Sequence, residues 1–251
     1  MSDLTDLPPR TAIEKFRLIR EESVSWAAIG LSACADTELL SKREDILHSR
    51  ELEIFESDTY GRWRCGYLRG RLCAKLALRA LHDHCDFRQV MIDRGVFGQP
   101  IVLSRTLTNI QVSLSHSGHW AAAVAFHEGH PMAIDIEVHA ENKQDVILAN
   151  MTVAEIDAIA ATHLSADMRP TVLWTIKESL SKVLRTGLMS PFDIYAIDRI
   201  TEEDGMIVST FRNFAQYKCV SFSIGDLALS LTLPKRTRVD LDFNSWEAIS
   251  R

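Results

Sequence analysis

The chain has 251 residues, enough for one large domain or two small ones, and its 46% hydrophobic and 25% charged residues are an ordinary globular composition. A formal net charge of -6 excludes a broad positive field for nucleic acid or an anionic membrane, so any anion must meet a local cluster of cations. The five cysteines form neither CxxC pairs nor zinc-spaced Cys/His sets, which excludes a disulfide framework and a zinc site and leaves reduced thiols.

In chain order, the N-terminus MSDLTDLPPR has acids and prolines where a signal peptide needs a basic start and an apolar run. The apolar run from Trp120 to Phe126 is too short to span a bilayer, and a soluble cytoplasmic protein is expected. Residues 11 to 30 read as a short helix followed by a strand from Val24 to Leu31. A polar helix is predicted from Asp36 to Arg50 and a second from Ser57 to His82, the latter interrupted by Gly66 and Gly70. Such glycines point to close packing or close approach of a ligand.

Residues 90 to 103 read as a strand, a turn at Gly98-Gln99-Pro100 and a second strand. Ile110, Val112 and Leu114 alternate with Gln111, Ser113 and Ser115, the period of a half-buried strand ending at Ser117-Gly118. Two further strands, Trp120 to Phe126 and Met132 to Val138, flank the turn at Glu128-Gly129-His130-Pro131, and such short connections imply antiparallel pairing. Thr152 to Glu155 is a capping-box pattern that starts a helix through about Ala161. A longer helix is expected from Thr171 to Arg185, stopped by Gly187. Strands at 206 to 211, 217 to 224 and 227 to 233 complete the order helix then strands, given twice. The expected class is α+β.

Two segments carry candidate chemistry. In Met132 to Val138 the apolar residues share one face and Asp135 and Glu137 project from the other. Adjacent carboxylates repel unless a cation lies between them, so the pair is either a cation site or a solvated acidic face. About forty residues on, Trp174, Glu178 and Lys182 fall on one helical stripe with Lys177 beside it, which alone reads as a surface ion pair and a core tryptophan.

Together these positions resemble the signature of the 4'-phosphopantetheinyl transferase superfamily: aspartate-x-glutamate, then tryptophan, two residues, lysine-glutamate, three residues, lysine, here Asp135, Glu137, Trp174, Lys177, Glu178 and Lys182. Ser113 to Gly118, with Ser115 and His116, is similar to the family's serine-histidine-serine-glycine segment, and Gly98-Gln99-Pro100 to its glycine-lysine-proline turn. Gln99 departs from the lysine of many relatives and removes one phosphate contact. Gly70 to Leu78 resembles the family's basic helix, and between Arg62 and Arg79 there are six basic residues and no acid. Arg64, Arg71 and Lys75 share one helical stripe there, which reads either as a solvated face or, in the family's context, as a clamp on the 3'-phosphate and pyrophosphate of coenzyme A.

The resemblance implies the larger, monomeric type, built of two similar halves related by a pseudo-twofold axis, each an antiparallel sheet on a long helix. The halves are expected at 1–130, with the coenzyme A phosphate-binding elements, and 131–251, with the metal strand and catalytic helix, the active site lying between them. The implied reaction moves the 4'-phosphopantetheine of coenzyme A to a serine of an apo acyl or peptidyl carrier protein and releases 3',5'-ADP. Asp135, Glu137 and Glu178 would hold Mg²⁺. Glu178, Lys182 and Asp135 would be catalytic, and Arg64, Arg71, Lys75, Gln99, Ser115, His116, Lys177 and Lys182 would bind coenzyme A. The alternative is a non-catalytic coenzyme A or carrier-binding protein of the same fold. Carrier docking is expected on Val146 to Ala161, where Ile147, Leu148, Met151 and Val153 are either a greasy surface or packed on the sheet.

Overall fold

The computed structural model describes residues 7–57, 64–83, 85–187, 190–242, 246 and 249. It divides into two compact units, one running to His130 and resuming at Arg238, the other Pro131–Thr237.

In the first unit β1 (Thr11–Arg20) and β2 (Ser23–Ser32) form a hairpin paired from Thr11↔Ser32 to Arg20↔Ser23. The helix expected after residue 11 is therefore a strand. Its Glu, Lys, Arg and Leu favour helix only weakly, whereas Phe16 and Leu18 alternate into the core at 1% exposure each. The polar helix expected over 36–50 is three short ones, α1 (Asp36–Ser41), α2 (Arg43–Ile46) and α3 (Ser49–Glu56). A capping box at His48 and Glu51 starts the third, so the break falls where the sequence begins a new helix.

The long helix α4 (Arg64–Leu81) is followed by the hairpin β3 (Met91–Arg94) and β4 (Pro100–Leu103), then β5 (Ile110–Ser117) and β6 (Trp120–His127). Near the chain's end β12 (Arg238–Val239) pairs with β1, giving the sheet order β12-β1-β2-β6-β5. Residues from Arg238 onward, placed by the sequence with the second half, thus belong to the first; Arg17 also pairs with Asp240. The helix α4 lies on this sheet through small residues: Cys73, Ala74 and Ala77 meet Ala28, Ala121, Ala123 and Ala125. The approach is closest at Gly30, where a Cβ would stand 2.4 Å from the carbonyl oxygen of Cys73.

The second unit starts with β7 (Ala133–Val138), which pairs not with β6 across the short turn but with β11 (Leu227–Pro234). The turn at 128–131 therefore separates two sheets. Between β7 and β11 come α5 (Gln144–Leu148), α6 (Val153–Ala160), the long helix α7 (Met168–Leu184), and β8 (Ile197–Glu203), β9 (Met206–Phe211) and β10 (Tyr217–Ile224). The order is β7-β11-β10-β9-β8, all antiparallel. The capping box at Thr152 and Glu155 forms as predicted, and α7 ends at Arg185 in the left-handed conformation, φ 57°. The missed strand β8 carries exposed charges at Asp198, Arg199, Glu202 and Glu203, which hid its period.

Each unit is thus an antiparallel five-stranded sheet with one long helix, the α+β class expected. A buried ion pair recurs in both. Glu51, at the third position of α3, accepts the backbone N–H groups of His48 and Ile92 and the Lys75 ammonium of α4. Glu155, at the third position of α6, accepts those of Thr152 and Ile197 and the Lys177 ammonium of α7. In each case one carboxylate joins a helix start, the long helix and the following strand.

Candidate functional site

In the second unit the chemistry is assembled by β7 and α7. Asp135 is directly opposite Ser230 of β11, and Ser230 reaches Thr175 of α7 at 2.8 Å, so this face of β7 looks at the helix. A seam of buried hydroxyls sets the helix on the sheet: Thr175 on Ser230, Ser230 on Ser221 at 2.7 Å, and Ser179 on Thr232 at 2.7 Å. Such bonds are directional, and they fix the register from which Glu178 and Lys182 extend.

Lys182 Nζ donates to Asp135 Oδ1 at 2.7 Å and to the Ile134 carbonyl at 3.3 Å. Asp135 is buried at 5% exposure, and Glu137 beside it is paired with Lys143. Glu178 is half-buried, and its carboxyl is pushed up to about 7 by burial first, then by the negative charges of Asp135 and Glu137, against the opposing pull of Lys182. The three predicted carboxylates are therefore electrostatic neighbours, and Lys182 joins them.

Hard carboxylate oxygens are the donor chemistry Mg²⁺ takes, and it needs only one or two of them with substrate phosphates and water. The mutual repulsion recorded in Glu178 is what a divalent cation relieves, so the residues fit the ion. Among the described residues, however, no three His, Cys, Asp or Glu side chains already converge closely enough to hold a metal, and ammonium groups neutralise Asp135 and Glu137.

In the first unit a cavity of about 390 Å³ gathers several of the sequence's candidates. Gly66, Gly70 and Arg71 of α4, Gly98 and Pro100 of the β3–β4 hairpin, and Leu114 and His116 of β5 line it together with Tyr67, Asp93 and Arg94. Gly66 is explained by His116, whose ring carbon Cδ2 would lie 3.1 Å from an added Cβ. Ser115 alternates to the opposite face of β5 and is buried at 7% exposure, away from His116.

Several expected coenzyme A contacts are placed otherwise. Lys75 is fully buried, donating to the carbonyls of Ile46 and Phe87 at 2.8 Å each and to Glu51; burial pulls its ammonium down against the pull of that carboxylate. Lys177 is likewise interior at 1% exposure, 2.8 Å from Glu155. On Glu155 burial works upward, but the bonds from Lys177, Thr152 and Ile197 outweigh it and hold the carboxyl below its ordinary value. Arg64 is occupied by the Phe55 carbonyl at 2.9 Å and the Phe55 ring at 4.7 Å. Arg69 is spent on the Cys34 carbonyl and Asp36, and Arg79 lies over the Phe87 ring. The run of cations on α4 is thus mostly internal tethering; Arg62 lies outside the described residues. Gln99 folds back on its own hairpin, accepting from Phe97 N at 3.0 Å, and does not line the cavity. The cavity's cations are Arg71 and Arg94. Arg94 was missed because nothing in Asp93-Arg94-Gly95 marks it beyond its nearness to the Gly98-Gln99-Pro100 turn.

On the segment after β7, Ile147 is buried at 5% exposure and Met151 packs against the core cluster of Ile159, Leu164 and Val172. Val146 and Val153 are exposed, at 64% and 74%.

Residues 131–232 match the sequence model of the 4'-phosphopantetheinyl transferase superfamily. Among solved structures, the chain is similar to a holo-(acyl-carrier-protein) synthase from Bacillus anthracis str. Ames in complex with CoA (3',5'-ADP), at 20% identity and a TM-score of 0.34, over 43% of this chain and 95% of that one. No curated protein matches it. Among the described residues no helix is long and apolar enough to cross a membrane.

Proposed function

Since the second unit belongs to the 4'-phosphopantetheinyl transferase superfamily, we infer that the protein transfers 4'-phosphopantetheine from coenzyme A to a serine of an apo acyl or peptidyl carrier protein, with Mg²⁺. The observation that carries this reading is the Lys182–Asp135 ion pair inside the matched segment, with Glu178 within electrostatic reach of it.

The serine oxygen attacks the β-phosphorus of coenzyme A. A new O–P bond forms, the bond to the 3',5'-ADP oxygen breaks, and that product leaves with the electron pair. Asp135, Glu137 and Glu178 would hold Mg²⁺, which when bound neutralises pyrophosphate charge. Glu178, on the helix beside Lys182, is assigned to accept the serine proton. Lys182, anchored on Asp135, presents an ammonium to the phosphates and stabilises charge on the leaving oxygen. In the first unit, Arg71, Arg94 and His116 of the cavity are assigned to the nucleotide phosphates. The exposed Val146 and Val153 are assigned to an apolar spot on the carrier. The reaction needs no covalent nucleophile from the protein, so direct transfer is expected.

The test is incubation with apo-carrier proteins, coenzyme A and Mg²⁺, followed by intact-mass measurement of the carriers. A gain of the phosphopantetheine mass on the carrier serine is expected. Coenzyme A binding without any mass gain across acyl and peptidyl carriers would favour a non-catalytic binding protein.

A further inference from the structure

The repeated ion pair differs between the units in one respect. In the second unit Glu155 serves one ammonium, and the residue four before Lys177 is the buried Leu173. In the first unit the residue four before Lys75 is Arg71, whose Nε lies 3.2 Å from Glu51 Oε1 in an ion pair without a hydrogen bond; that oxygen accepts Ile92 N at 2.8 Å. The other oxygen takes Lys75 and His48 N. One fully buried carboxylate therefore faces two cations, which leaves a surplus positive charge, and Arg71 is the one of the pair that lines the cavity. Its guanidinium is clamped from a second side by the Tyr67 ring, 4.3 Å away, and is 13% exposed. The charged groups facing the cavity besides Arg71 are Arg94 and Asp93, and the titratable ring of His116 faces it as well.

We propose that Glu51 is a positioning residue for an anion site: it holds Arg71 in the cavity wall so that the guanidinium's outer N–H groups face a phosphate of the bound ligand. The assignment of that ligand as coenzyme A rests on the transferase reading; the anion chemistry does not. A flexible arginine loses rotamer freedom on binding, whereas one already held by Glu51 and Tyr67 has lost it on folding. Lys75 offsets the buried carboxylate, so that Glu51 does not draw Arg71 wholly inside.

The experiment is a thermodynamic cycle. Glu51→Gln alone leaves Lys75 without its counter-ion, so the background is Glu51→Gln with Lys75→Met, which removes both charges; Glu51→Asp, shortened but charged, is the second variant should that pair fail to fold. Affinities for coenzyme A and for pyrophosphate are measured by calorimetry, with circular dichroism reporting the fold. Removing or shortening Glu51 should weaken both ligands roughly tenfold. Arg71→Ala should cost about as much in the wild type and little more in either Glu51 background, because the two residues act as one unit. The matched pair Glu155→Gln with Lys177→Met should leave pyrophosphate affinity unchanged. Wild-type affinity in a folded Glu51 variant, or an equal cost of Arg71→Ala in every background, overturns the proposal. A protein that binds pyrophosphate with the cycle intact but transfers nothing sinks the transferase reading and leaves this one standing.

Discussion

Replacing Glu178 by glutamine should stabilise the metal-free protein at alkaline pH while abolishing transfer. The folded carboxyl is raised from its ordinary 4.5 to about 7, so between those values the native state binds a proton that the unfolded chain releases. The associated stability is fully present below about 4.5 and is lost as pH rises through 7. At about 1.4 kcal/mol for each tenfold change in proton affinity the cost above pH 7 is roughly 3 kcal/mol, reduced to about 2 because solvent reaches the half-buried group. Glutamine keeps the shape and carries no charge, so Glu178→Gln should raise the melting temperature in chelator at pH 8 by about 4–8 °C, for a chain of this length. Near pH 5 the gain should shrink to a small fraction. Adding Mg²⁺ should reverse the order by raising the wild-type melting temperature and leaving the variant's unchanged. Melting curves at pH 5 and 8, with chelator and with Mg²⁺, decide it. A variant less stable than wild type at pH 8, or equally stabilised at both pH values, would refute the argument that burial and like charge strain this carboxyl.

Asp135→Ala should abolish transfer with the circular dichroism spectrum retained, and activity should vanish in excess chelator; full transfer in chelator would sink the metal assignment. Arg71→Ala should raise the coenzyme A KM about 10- to 100-fold with the carrier KM little changed, the range for one or two charge-assisted contacts. Lys75→Met should destabilise the protein by about 3–5 kcal/mol, because it strips one of two cations from the buried Glu51 carboxylate; loss of coenzyme A affinity without loss of stability would return Lys75 to the binding site. Val153→Asp should raise the carrier KM alone, and an unchanged carrier KM would place docking elsewhere.

Much of the candidate site was legible because its chemistry is carried by short spacings. Asp135 and Glu137 alternate on one strand, and Glu178 and Lys182 are one helical turn apart, so local geometry alone puts each pair on one face. Register between elements is not local, and there the reading failed. Arg64, Arg71 and Lys75 share a stripe, yet what that stripe meets is Glu51 and the Phe55 ring, partners far outside one helix period. The hydroxyl seam from Thr175 to Ser230 is visible in sequence only as polar residues in apolar strands. The strand β1 was missed for a related reason, since its weak alternation at Phe16 and Leu18 is decisive only once it pairs with β2.

The two residues of β12 give the first unit a dependence on chain order. Its sheet is complete only when Arg238 and Val239 lie against Ile19 and Leu18, after the whole of Pro131–Thr237 has been made. During synthesis β1 therefore waits as an open edge, with backbone groups able to recruit any passing strand, while the intervening unit is contiguous and able to close first. A ribosome that stalls past Thr237, or a protease that removes Arg238 and Val239, would leave a chain with a complete second unit and an adhesive first sheet.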